Sequence, residues 1–150
     1  MTLGVGDVAS DFELDGTGGR RYALADERGA TVVLVFYPAD NTPVCSTQLS
    51  AYNRDLAAFT RLGAHVLAIS PQDVASHEAF AEDLGLTFPL LADPDKSVGR
   101  SYGVLGPLGF YRRSVFVVDG VGAVRYAHRS VGGFRFRPVH ELVDAVEAAS

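Results

Sequence analysis

Thr31-Val32-Val33-Leu34-Val35-Phe36-Tyr37 is an unbroken run of β-branched, leucine and aromatic residues. A strand with one face in water alternates polar and apolar residues. A run without alternation must be covered on both faces, which places it at the centre of a sheet. Ala64 to Ser70 reads as a second buried strand, and Ser114 to Val118 as a third. Between the first two lies a segment of helical period, Pro43 to Leu62, with apolar Val44, Leu49, Tyr52, Leu56 and Phe59 spaced mostly three or four apart. Thr42 suits its N-cap, Pro43 its first position, and Gly63 its end. A buried strand, a helix and a second buried strand make a βαβ unit, the core of an α/β domain.

The remaining segments fit around that unit. Phe12-Glu13-Leu14 alternates like a strand, Asp15 to Gly19 is a turn, and Arg20 to Leu24 returns as the hairpin partner. Asp26 to Ala30 is a polar connection. Asp73 to Leu84 reads as a helix closed by Gly85, Phe88 to Leu91 as a short strand, and Asp93 to Tyr102 as a short helix. Gly103 to Gly109 is loop. Asp119 to Gly122 is a hairpin turn, with Ala123 to His128 as the return strand. Gly132-Gly133 is a break, and Arg137 to Ala149 is a terminal helix with Val139, Leu142, Val143 and Val146 on one face. The expected architecture is a mixed central sheet with helices on both faces and an N-terminal β-hairpin. The thioredoxin-like fold has this order of elements in its second half.

Several function classes are disfavoured at this level. Residues 1–150 are expected to form a single domain, long enough to bury a core without disulfides or a structural metal. The 13 Lys and Arg against 18 Asp and Glu give a net charge of −5, which offers no general attraction to nucleic acid or anionic membranes. No apolar run approaches the roughly 18 residues of a membrane span. Met1 to Phe12 lacks the pattern of a signal peptide, so a reducing cytoplasm is the expected compartment. The four histidines, His65, His77, His128 and His140, show no paired metal-ligand spacing, so no metal is expected and each reads as a surface or half-buried polar residue. Phe134-Arg135-Phe136-Arg137 reads as loop packing or a subunit contact rather than a nucleic-acid site.

The chain holds one cysteine, Cys45, in the expected first turn of the helix after the first buried strand. A lone cysteine is either a small core hydrophobe or a reactive thiol. An ordinary thiol has a pKa of about 8.5, so only about 3% is thiolate at neutral pH. A helix N-terminus favours the thiolate. Thr42, three residues earlier, offers a hydroxyl, Pro38 and Pro43 stiffen the loop, and a cation from elsewhere would complete a reactive site.

The pattern Pro38-x-x-x-Thr42-x-x-Cys45, directly after a strand rich in Val and Phe, resembles the active-site motif of the peroxiredoxins, thiol-dependent peroxidases of thioredoxin-like fold. Val5-Gly6-Asp7-x-Ala9-x-Asp11-Phe12, Ala68-Ile69-Ser70, Phe88 to Pro94, Tyr102-Gly103-Val104 and Arg113 to Asp119 extend the resemblance over most of the chain. It implies that Cys45 is the peroxidatic cysteine. It implies that Thr42 hydrogen-bonds the peroxide, that Pro38 shapes and shields the pocket, and that Arg113 stabilises the thiolate and the developing charge. The backbone N–H groups of Val44 and Cys45 would contact the peroxide oxygens. Arg112 and Arg113 are adjacent, and the family's spacing to the strand phenylalanine, here Phe116, selects Arg113.

Two positions depart from the pattern. Many relatives carry Glu where this chain has Gln48, which accepts a hydrogen bond from Arg but lacks the charge. Members of the PrxQ, or bacterioferritin comigratory protein, group often carry a resolving cysteine where this chain has Ser50. The resemblance therefore points to a one-Cys peroxiredoxin, PrxQ-like or AhpE-like, that needs no cofactor. It would reduce hydrogen peroxide or an organic hydroperoxide and be restored by a low-molecular-weight thiol or a thioredoxin- or glutaredoxin-type protein. It would act as a monomer or homodimer. The alternatives are a peroxide-sensing switch using the same cysteine, and a Cys–His hydrolase, for which the flanks of Cys45 carry no signature.

Overall fold

Every residue of the Val32–Phe36 strand is buried, as an unbroken apolar run requires. The computed structural model describes residues 3–131 and 135–150, so the Gly132-Gly133 break and Phe134 lie outside the described residues. Among these, seven strands form one sheet: β1 (Glu13–Gly16), β2 (Arg20–Ala23), β3 (Val32–Phe36), β4 (His65–Ser70), β5 (Leu90–Ala92), β6 (Ser114–Val118) and β7 (Val124–Arg129). Their order is β2-β1-β5-β4-β3-β6-β7. β3, β4 and β5 are parallel, while β6 and β1 join them antiparallel, so the sheet is mixed. β1 and β2 form the N-terminal hairpin.

The helices are α1 (Pro43–Arg54), α2 (Leu56–Thr60), α3 (Val74–Leu84), α4 (Ser97–Ser101) and α5 (Val139–Ala149). Period-two alternation in β3 divides the core. Val33, Val35 and Tyr37 face Leu49 and Tyr52 of α1, Phe59 of α2, Phe80 of α3, and Leu142 and Val146 of α5. Val32, Leu34 and Phe36 face Ala9, Phe12, Leu24, Val98 of α4, and Tyr102 and Tyr111. Helices lie on both faces, but the second is covered largely by non-helical chain. There the rings of Phe36, Tyr102 and Phe116 pack with centroids 5.2–5.6 Å apart. Such aromatic pairs contribute about 0.5–1.5 kcal/mol each beyond their buried area.

Two expected helices are shorter than their sequence pattern. The segment Pro43 to Leu62 is broken at Asp55 (φ −103°, ψ 20°), so α1 and α2 are separate. Aspartate is a weak interior helix residue because its carboxylate competes for backbone donors. The break lets α2 turn Phe59 onto the sheet. The Asp93 to Tyr102 segment is helical only from Ser97 to Ser101. Asp93 stands outside that helix and closes it from below, accepting Val98 N at 3.2 Å, Gly99 N at 2.9 Å and the hydroxyl of Tyr111. α3 follows its expectation: Asp73 caps it through Ser76 N at 2.8 Å, and Gly85 ends it in the left-handed region.

Gly99 lies under the Tyr111 ring, where a Cβ would stand 2.8 Å from Cζ. Tyr111 is buried and held by Asp93, so it has nowhere to retreat. Gly99→Ala should therefore destabilise the protein by about 1–3 kcal/mol, as overpacking does. A lower denaturant midpoint at unchanged m-value would report it.

Candidate active site

Sheet register carries Arg113 to the cysteine. β3 and β6 pair antiparallel, with Val35 opposite Val115 and Phe36 opposite Ser114. One further step sets Arg113 opposite Tyr37. Residues opposite one another share a face, so Arg113 points where Tyr37, Val115 and Val117 point, toward α1. Arg112 points the other way and is exposed, while Arg113 is 4% exposed.

Cys45 is the third residue of α1 and is fully buried. Pro43 takes the first position, and the first intrahelical bond runs from Ser46 N to Thr42 O at 2.9 Å. The N–H groups of Val44 and Cys45 precede that ladder and belong to the free donors of a helix N-terminus. Arg113 Nη1 donates to Cys45 Sγ at 3.1 Å and to Gln48 Oε1 at 2.7 Å. Gln48, one turn on from Cys45, is fully buried on the same helical face. Its Nε2 donates to Tyr52 Oη at 3.3 Å, and Tyr52 donates to the Arg137 carbonyl at 2.7 Å. Burial pushes the Tyr52 phenol up to about 12, so it stays a neutral donor. Tyr52, which the sequence presents only as core, is a link in this chain of bonds.

Thr42 and Pro38 sit in the loop between β3 and α1, both half-buried. Thr42 occupies the N-cap position but makes no side-chain cap bond. Its hydroxyl instead donates to Ala39 O at 3.2 Å and braces the loop. Cys45, Gln48 and Arg113 are thus joined directly, while Thr42 and Pro38 lie in the loop that leads into α1.

A second cluster lies beneath the same loop. Asp40, with a side chain 1% exposed, accepts from Tyr37 Oη at 2.6 Å, Ser76 Oγ at 2.7 Å and His77 Nδ1 at 2.7 Å. His77 is fully buried, not a surface or half-buried residue, and its Nε2 donates to Leu91 O at 3.0 Å. Burial works to raise the Asp40 carboxyl, but the bonds from His77, Tyr37 and Ser76 outweigh it and hold the group below its usual value. Burial, with the Asp40 charge, pushes the Tyr37 phenol well up.

A carboxyl lowered in the folded state contributes stability above its unfolded pKa of about 3.9, and that contribution is lost as pH falls through the folded value. Asp40→Asn should cost about 3–5 kcal/mol at neutral pH, as for one partner removed from a buried pair. It should also flatten the decline in stability below about pH 4, readable from urea midpoints at several pH values.

His65 is exposed and bonds Glu27 at 2.6 Å, His128 is half-buried, and His140 is exposed at the start of α5. Among the described residues no group of three or more His, Cys, Asp or Glu is arranged to hold a metal, and no helix is long and apolar enough to cross a membrane. Phe136 packs edge-on against Tyr52, and Arg137 pairs with Glu141.

The AhpC/TSA family model matches residues 5–127. A putative peroxiredoxin of Mycobacterium tuberculosis is 39% identical over 133 residues, covering 84% of this chain and 85% of that one. The structure of Enterococcus faecalis AhpC superposes with a TM-score of 0.90 at 31% identity, covering 99% of this chain and 92% of that one. A mutant PrxQ of Xylella fastidiosa superposes with a TM-score of 0.88 at 29% identity, covering 99% and 98%. The fold is therefore the thioredoxin-like fold of the peroxiredoxins, and with the family model spanning most of its length the chain belongs to the AhpC/TSA family.

Proposed function

We propose that the protein is a one-Cys thiol peroxidase acting on hydrogen peroxide and organic hydroperoxides. The observation that carries this reading is the 3.1 Å contact between Arg113 Nη1 and the sulfur of the sole cysteine, at a helix N-terminus. In the proposed reaction the Cys45 thiolate attacks one peroxide oxygen and the O–O bond breaks. The other oxygen leaves as hydroxide or alkoxide and is protonated to water or alcohol, leaving Cys45 as sulfenic acid. Arg113 and the N–H groups of Val44 and Cys45 are the donors assigned to the oxygens, and the hydroxyl of Thr42 joins them by turning from Ala39 O. Donors fixed before the reaction favour its transition state over its ground state. Pro38 is assigned to shielding the sulfur from water, and Gln48 to orienting Arg113.

With one cysteine in the chain, resolution falls to an external thiol. That thiol attacks the sulfenic sulfur and water leaves; a second thiol then releases Cys45 and carries away the disulfide. Because Cys45 is fully buried, the first turn of α1 must move aside for a second sulfur to reach it. The reductant is a low-molecular-weight thiol or a thioredoxin- or glutaredoxin-type protein, and the proposed compartment is the reducing cytoplasm. The test is steady-state peroxide consumption with glutathione or with a thioredoxin reducing system. Many turnovers per Cys45 support the enzyme. Rapid oxidation that stops after one turnover with every reductant would favour a peroxide-sensing switch instead.

A further inference from the structure

We propose that His77, through Asp40, is a positioning residue for peroxide attack at Cys45; the inference rests on the peroxidase reading above. The loop from Tyr37 to Cys45 leaves β3 and must deliver Thr42 and the first turn of α1 to a fixed place. Its midpoint is Asp40. Three side-chain donors converge on that carboxylate, two from the first turn of α3 and one from the end of β3. The Asp40 backbone N–H is also taken, by Gln72 Oε1.

His77 is the pivot of this arrangement. Its ring is fully buried and has an acceptor on each side, Asp40 on Nδ1 and the Leu91 carbonyl of β5 on Nε2. It therefore ties the loop to the sheet rather than to α3 alone. Immediately after Asp40 the chain turns sharply at Asn41 (φ 62°), and Thr42 then takes the N-cap position with its hydroxyl on Ala39 O. A shift of Asp40 is transmitted across one left-handed residue to Thr42, and from there to Cys45. No atom of His77 need touch the peroxide for this role.

An ångström of misplacement at a reacting group costs on the order of 10²-fold in rate. Two amide substitutions separate positioning from bulk. The amide nitrogen of Asn lies where His Nδ1 lies, and that of Gln lies where Nε2 lies. His77→Asn keeps the donor to Asp40 and drops the one to Leu91; His77→Gln does the reverse. Each removes one of the ring's two bonds to Asp40 and Leu91.

The readout is the second-order rate of Cys45 oxidation by hydrogen peroxide in stopped flow, with thermal midpoints alongside. H77Q should react on the order of 10²-fold more slowly than wild type, and H77N should recover most of that loss, whatever their relative midpoints. Ser76→Ala, on a half-buried helical position, removes one Asp40 donor without disturbing the core and should slow the reaction on the order of tenfold, a fraction of the same misplacement cost. Equal rates for H77N and H77Q, or rates that merely follow their midpoints, would overturn the positioning role. If neither histidine variant folds, an S76A rate equal to wild type does so. If wild type itself oxidises no faster than a free thiol, the peroxidase reading fails rather than this one.

Discussion

Arg113→Ala should slow the oxidation of Cys45 by hydrogen peroxide roughly 10²–10³-fold, the usual cost of one fixed donor at a developing charge. The guanidinium is nearly buried and points at the sulfur from the edge of β6. Removing it deletes the cation beside the Cys45 sulfur and leaves the Gln48 carbonyl oxygen without the Nη1 donor at 2.7 Å. Arg113→Lys should recover little. A lysine ammonium is a point charge on a flexible stem and does not reproduce a planar fork that reaches two acceptors at once. Arg112→Ala is the control: Arg112 is exposed on the opposite parity of the strand and should react within about twofold of wild type, as surface substitutions do. Stopped-flow rates for the three variants decide the matter, and a slower R112A than R113A would reverse the assignment.

Cys45→Ser should abolish peroxide consumption altogether. A serine hydroxyl is a far weaker nucleophile than a thiolate and forms no sulfenic acid, and no other cysteine stands in for it. The variant should fold, because Ser is smaller than Cys and retains a polar atom facing Arg113. Consumption of hydrogen peroxide in the presence of dithiothreitol should fall to the rate of dithiothreitol alone. A residual catalytic rate would show that Cys45 is not the reacting group.

The sheet was legible in the sequence because its central strands are covered on both faces, and a run such as Val32–Phe36 has no other stable place. The helix starting at Pro43 was legible from its apolar spacing, but its break at Asp55 was not. The apolar period continues through Leu56 and Phe59, and one weak helix former inside it, Asp55, does not by itself mark where the axis turns. Arg113 came from a family's spacing to Phe116; the sheet register supplies the physical reason, since parity alone turns Arg112 outward.

Asp40 and His77 were hidden for a different reason. They are 37 positions apart and meet only because parallel β3 and β4 end side by side. One signal was available: Asp40 and the Asp73-to-His77 segment both follow the C-terminal ends of adjacent parallel strands, where loops of α/β sheets converge. Reading His77 as a surface or half-buried residue ignored that convergence. Tyr52 was missed because an aromatic at a core position carries no sign that its hydroxyl has a partner.

The most direct measurement is to mix the reduced protein with less than one equivalent of hydrogen peroxide, trap sulfenic acid with a dimedone-type reagent, and locate the adduct by mass spectrometry over a time course. The account predicts one adduct, on Cys45, formed orders of magnitude faster than a free thiol reacts at the same pH and removed by added thiol. Oxidation of Cys45 no faster than that of the free thiol would contradict it.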